Sequence, residues 1–174
     1  MNKMKAGVFG ALALLGAMLV IPGQALAAET IIARLVGFQE VPAVSTTGGG
    51  HFQATISSDQ TSIEFQLDYT LEGSVQQAHI HLGQTSVNGG IVIFLCTNLA
   101  PPPGVPVPPP CPPSPGTVSG TRTAADVVAV ASQGIFSGDF AKVLNGIRSG
   151  VAYANVHSGP DHPGGEIRGQ LRTE

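Results

Sequence analysis

Imidazole is the chemistry this chain has to offer. Of the five histidines in 174 residues, His79 and His81 stand two apart in Val75-Gln76-Gln77-Ala78-His79-Ile80-His81-Leu82. His157 follows far along the chain, and His162 lies five residues beyond it, in Ser158-Gly159-Pro160-Asp161-His162-Pro163-Gly164-Gly165-Glu166. On an extended strand, side chains at i and i+2 project from the same face, roughly 6 to 7 Å apart at the backbone. Two such imidazoles, joined by a third from a neighbouring strand, form a donor set for zinc or copper. The expected ligands are His79, His81, His157 and His162, with Asp161 or Glu166 as further candidates for the last position. His51, beside Gly48-Gly49-Gly50, stands apart from this set.

Other catalytic arrangements lack their parts. No Gly-x-Ser-x-Gly elbow accompanies the histidines. The triple glycine at 48–50 precedes a strand pattern and not a helix, so it does not cradle phosphate.

Strands must position these residues, and the pattern supplies them. Residues 30–36 form a β-branched run. Residues 51–56 and 62–70 alternate polar with apolar, placing Ile63, Phe65, Leu67 and Tyr69 on one face. Period-two alternation marks a strand with one buried side. In 75–82 the apolar face is Ala78, Ile80 and Leu82, which sends His79 and His81 to the opposite, solvent side. In 151–157 the apolar face is Ala152, Ala154 and Val156, which leaves Tyr153, Asn155 and His157 on the wet side, so the histidine site is expected at the surface. Residues 90–95 are continuously apolar, an interior strand, and 166–172 alternate again. Two helical signals interrupt the strands. Thr123-Ala124-Ala125-Asp126 resembles a capping box, predicting one or two turns into Val127, Val128 and Val130. Phe140, Val143, Leu144 and Ile147 form a helical stripe ending at Gly150, with Gly146 costing about 1 kcal/mol relative to alanine. The expected fold is mostly β: an antiparallel sandwich or barrel, immunoglobulin-like or copper/zinc superoxide dismutase-like, with one or two short helices.

A charged fraction of only 11%, with 23 glycines and 14 prolines, excludes a coiled coil and suits short strands joined by turns. Lys3 and Lys5 precede an uncharged apolar run over 6–21, broken by Pro22-Gly23 and followed by Ala25-Leu26-Ala27. This is the layout of a secretory signal over residues 1–27, too short to cross a bilayer as an anchor. The expected domain is 28–174, secreted or periplasmic, with no membrane span after cleavage. It keeps eleven acidic side chains against six basic ones and no tryptophan. That composition excludes nucleic acid as a partner and leaves an extracellular or envelope protein or ligand.

Cys96 and Cys111, an even pair in an exported chain, are expected to form a disulfide. It would close a loop of about 16 residues and contribute roughly 3 kcal/mol. Ten of the fourteen prolines fall between Pro101 and Pro115, making 96–116 a stiff, cross-linked excursion. Near the ends of the domain, Glu40 and Arg168 are expected to pair as a structural ion pair joining the first and last segments.

Three blocks carry a family resemblance: Gly37 to Val44 (GFQEVPAV), Ala78 to Gly83 (AHIHLG) and Asn155 to Leu171 (NVHSGPDHPGGEIRGQL). In this order they resemble the signature blocks of the CHRD domain, named for the secreted protein chordin and found in many exported bacterial proteins. The resemblance spans about residues 29–173 and implies an extracytoplasmic β-rich domain without implying an enzymatic activity. The proline loop is outside the family pattern. A fainter similarity runs to copper/zinc superoxide dismutase, through the His-x-His strand pair alone. The function expected is therefore an extracytoplasmic binding or cell-envelope module using a histidine metal site. The alternatives are a dismutase-like copper/zinc enzyme and a purely structural envelope or matrix protein.

Overall fold

A computed structural model describes residues 28–101 and 103–174. The proposed secretory signal at 1–27 lies outside them. The chain forms β1 (Glu29–Val36), β2 (Gly49–Ile56), β3 (Ser62–Thr70), β4 (Ser74–Leu82), β5 (Gly90–Thr97) and β6 (Gly116–Thr123). There follow α1 (Phe140–Arg148), β7 (Ala152–Gly159), β8 (His162–Gln170) and the short β9 (Arg172–Thr173). All pairings are antiparallel, in one sheet of order β5-β4-β7-β8-β1-β2-β3-β6, with β9 beside β1. The expectation of a mostly β antiparallel fold holds, in its barrel form: a single sheet curls until its two edges nearly meet.

Alternation explains the interior. Ile31, Ala33, Leu35, Phe52, Ala54, Ile56, Ile63, Phe65 and Leu67 are all buried, and the residues between them in β1 to β3 face outward. Ala78, Ile80, Ala152, Ala154, Val156 and Ile167 complete the same core from the other strands, with Leu171 between β8 and β9. Helix α1 buries the predicted stripe of Phe140, Val143, Leu144 and Ile147. Gly146 has a packing reason within it: a Cβ there would lie 2.5 Å from Leu82 Cδ1. A side chain there would push the Leu82 methyl aside, so glycine lets the helix rest on β4 without disturbing it.

The seam between β5 and β6 is closed by a side chain. Arg122, on β6, donates from Nε to the Phe94 carbonyl (2.8 Å) and from Nη2 to the Leu95 carbonyl (2.7 Å). Beyond β6, Ile93 bridges Val127, and the Val128 N–H donates to the Val92 carbonyl at 2.9 Å. This bridge explains a shortfall in predicted helix. Thr123 and Asp126 do form a capping box, but around the single 3-10 turn Ala124–Asp126. Val127 is extended because it is held against β5.

β6 carries no alternating apolar pattern, since Val118 is the only aliphatic side chain in GTVSGTRT. Cys96 and Cys111 form the disulfide. The proline segment it brackets is tied down as well as cross-linked. Tyr69 donates its hydroxyl hydrogen to the Pro112 carbonyl (2.6 Å), the Leu71 N–H donates to Ser114 Oγ (2.7 Å), and Asn98 bonds both backbone groups of Cys111.

Candidate metal centre

Antiparallel register builds the site. Across the β4/β7 pairing, His79 lies opposite Asn155, His81 opposite Tyr153 and Gln77 opposite His157. His79 and His157 are thus diagonal neighbours on one face, within reach of long side chains. The rings converge: His79 Nδ1 lies 3.3 Å from His157 Nε2, and one ligand atom from each of His79, His81 and His157 falls within 4.8 Å of the others.

This face is not the wet surface that alternation predicts. His79 is 0% exposed, His81 8% and His157 7%, and Tyr153 and Asn155 are buried with them. Covering elements explain the difference. Phe94 meets the His79 ring edge-on at 4.5 Å between centroids. The 83–89 segment folds over His81, and the start of β8 closes over His157. Arg168 fastens the first of these covers, donating from Nη2 to the Gln84 and Val87 carbonyls and from Nη1 to Asn88 Oδ1. Its Cζ lies 3.4 Å from the centroid of the Tyr153 ring, which in turn stacks on His81 at 4.7 Å and 4°.

The hydrogen bonds fix two tautomers. Nδ1 of His81 lies 2.9 Å from the Gly89 carbonyl, and Nδ1 of His157 lies 2.9 Å from the Pro163 carbonyl. A carbonyl only accepts, so both Nδ1 atoms carry the proton and both Nε2 atoms present lone pairs to the pocket. Metal-binding histidines are oriented by just such a bond from the non-ligating nitrogen. The rings are held neutral. Burial, followed by the neighbouring imidazoles, drives His79 far below the usual histidine range. Burial also carries His81 down to about 4 and lowers His157. Neutral imidazole is the form that ligates.

Four buried side-chain atoms lack a partner among the described residues: His79 Nε2, His81 Nε2, Asn155 Oδ1 and Glu40 Oε1. All belong to this neighbourhood, since Asn155 pairs with His79 in the β4/β7 register and its amide lowers the Glu40 pKa and raises that of His81. An unpartnered buried polar atom costs about 1–3 kcal/mol, so four in one place point to an occupant. With the tautomers above, the His81 nitrogen and the two oxygens are acceptors. Acceptors facing one another suit a cation.

The remaining candidates lie elsewhere. His162 begins β8 opposite Ser158 and is half-buried, outside the three-histidine group. Asp161 is exposed in the turn. Glu166 is fully buried, but its oxygens are in use: Oε1 accepts from Thr46 Oγ1 and from the Glu72 N–H (both 2.8 Å), and Oε2 accepts from the Ser158 hydroxyl. It anchors loops and holds no free lone pair toward the histidines.

Glu40 and Arg168 are both buried near the site but form no contact ion pair; the guanidinium is spent on the 83–89 segment and Tyr153. Arg168 still draws the Glu40 pKa downward, against a larger effect of burial that raises it to about 7. The carboxyl packs against β8 at Gly165, whose φ of +127° and whose missing Cβ, which would fall 2.5 Å from Glu40 Oε1, admit glycine alone. The signal that could have exposed Glu40 and Asn155 as members of the site is weak. Asn155 shares the His157 face by period two, and nothing in the order of residues says that the face is covered.

A family model, the CHRD domain, matches residues 31–171. No curated protein and no solved structure matches the chain.

Proposed function

This chain belongs to the CHRD domain family, and from that premise we propose that it is an exported binding module of the cell envelope or its surroundings whose working part is a metal site formed by His79, His81 and His157. The observation that carries the reading is the convergence of three neutral, buried imidazoles, one ring nitrogen of each within 4.8 Å of the others, with Nε2 of His79 and of His81 left without a partner. An all-nitrogen imidazole set favours copper or zinc over hard cations such as magnesium or calcium. The disulfide agrees with an oxidising compartment, and none of the described helices is long and apolar enough to cross a membrane.

Elemental analysis of untagged protein, reconstituted with copper(II) or zinc and desalted, tests the assignment. One equivalent is expected in the wild type and less than a tenth in a His79→Gln/His81→Gln double variant that keeps its circular dichroism spectrum. Less than a tenth of an equivalent of either metal in the wild type would end the metal reading and leave a structural envelope role.

A further inference from the structure

Three imidazoles leave a metal short of the four ligands that copper(II) or zinc prefers, and the question is what completes the set. His162 stands outside the group. Two buried oxygens without a partner lie in the same neighbourhood, Asn155 Oδ1 and Glu40 Oε1. Asn155 is 3% exposed and Glu40 6%. Asn155 pairs with His79 across β4 and β7, and its amide lowers the Glu40 pKa and raises that of His81, which sets it beside both side chains. Asn155 Oδ1 and Glu40 Oε1 nevertheless have no donor. Both side chains are held in place: Asn155 sits between His79 and Arg168 in the β4-β7-β8 ladder, and Glu40 is backed by Gly165.

We propose that Asn155 Oδ1 and Glu40 Oε1 form an acceptor pair for a small neutral hydroxylic ligand, of the size of water or hydrogen peroxide, bound at an open position of the three-histidine metal site. The inference rests on the metal reading above and deepens it. A hydroxylic ligand offers a lone pair to the metal and hydrogens to two oxygens, which satisfies both orphaned acceptors at once. Above pH 7, where the Glu40 carboxyl is ionised, an anion offers only lone pairs and meets two oxygens that repel it. The pair thus selects protic neutral ligands over anions and makes this an exchangeable centre in place of a closed structural one. Glu40 and Asn155 act as positioning residues for that ligand.

Copper(II) is the probe. In the copper-loaded wild type, oxygen-17-enriched water should broaden the copper electron paramagnetic resonance lines, and azide should bind weakly, read from its charge-transfer band. Glu40→Gln replaces an acceptor with a donor at nearly the same volume. It should retain one copper and bind azide at least tenfold more tightly, and Asn155→Leu, which deletes the other acceptor, should shift azide affinity in the same direction. Copper held by three nitrogens with no oxygen-17 broadening in the wild type would overturn this proposal and leave the metal site standing. Azide affinity unchanged in both copper-loaded variants would overturn the acceptor pair. A wild-type protein that takes up no copper overturns both readings, and that measurement needs no variant.

Discussion

Burying neutral imidazoles makes metal-free protein sensitive to mild acid, and the size of the effect can be worked out. An unfolded histidine takes up a proton near pH 6.5, whereas His81 in the folded chain does so only near 4 and His79 lower still. A base whose folded pKa is depressed contributes stability above its unfolded pKa and loses it as pH falls. Between pH 7 and 5 each of these two imidazoles therefore costs about 2 kcal/mol, or about 4 kcal/mol together, by proton uptake in the unfolded state alone.

Glu40 works in the opposite sense. Its folded pKa is raised to about 7, so the cost of burying it is full above pH 7 and shrinks as pH falls toward 4.5, because the folded carboxyl takes up its proton first. Over the same interval it returns about 2 kcal/mol. The carboxylates held low by hydrogen bonds, Asp68 and Glu166 among them, titrate mainly below this window. The wild type should thus lose about 2 kcal/mol between pH 7 and 5, and Glu40→Gln, which lacks the compensation, about 4 kcal/mol. Urea unfolding of metal-free protein followed by far-ultraviolet circular dichroism measures both. Equal stability at the two pH values in Glu40→Gln would show that the imidazoles take up protons within the fold, and the account of a desolvated neutral cluster would fail.

Replacing both Cys96 and Cys111 by serine should lower stability by about 3 kcal/mol, from the loop closure that the unfolded chain regains; a change under 1 kcal/mol by the same urea titration would show that the tethers from Tyr69, Asn98 and Ser114 already confine the segment. Arg122→Met keeps the aliphatic stem and strands the Phe94 and Leu95 carbonyls at the barrel seam. It should cost about 2–4 kcal/mol and speed amide hydrogen exchange in β5 and β6 before β1 and β2, with uniform exchange across the sheet as the contrary result.

Much of the barrel was legible because β1 to β3 repeat with period two and bury one face only. β6 escaped because its burial rests on Val118 and on the guanidinium of Arg122, neither of which makes a pattern. The histidine trio was legible from spacing, since i, i+2 on one strand and an antiparallel partner suffice to bring the rings together. Its depth was not. Alternation reports which residues share a face, but whether loops lie over that face depends on contacts between distant segments, such as Arg168 with Gln84 and Val87. The same limit explains Glu40 and Arg168: the sequence placed them near each other, and only the folded chain shows the guanidinium engaged with carbonyls and a phenol ring instead.

The Arg122 closure also governs how copies of this molecule can meet. Exposed strand margins invite neighbouring chains to add on through idle main-chain groups. Here the carbonyls of Val92, Phe94 and Leu95 are already occupied by donors from across the seam. That rim is therefore blunted against fibre-like stacking, and contact with other molecules falls to loops and side-chain surfaces.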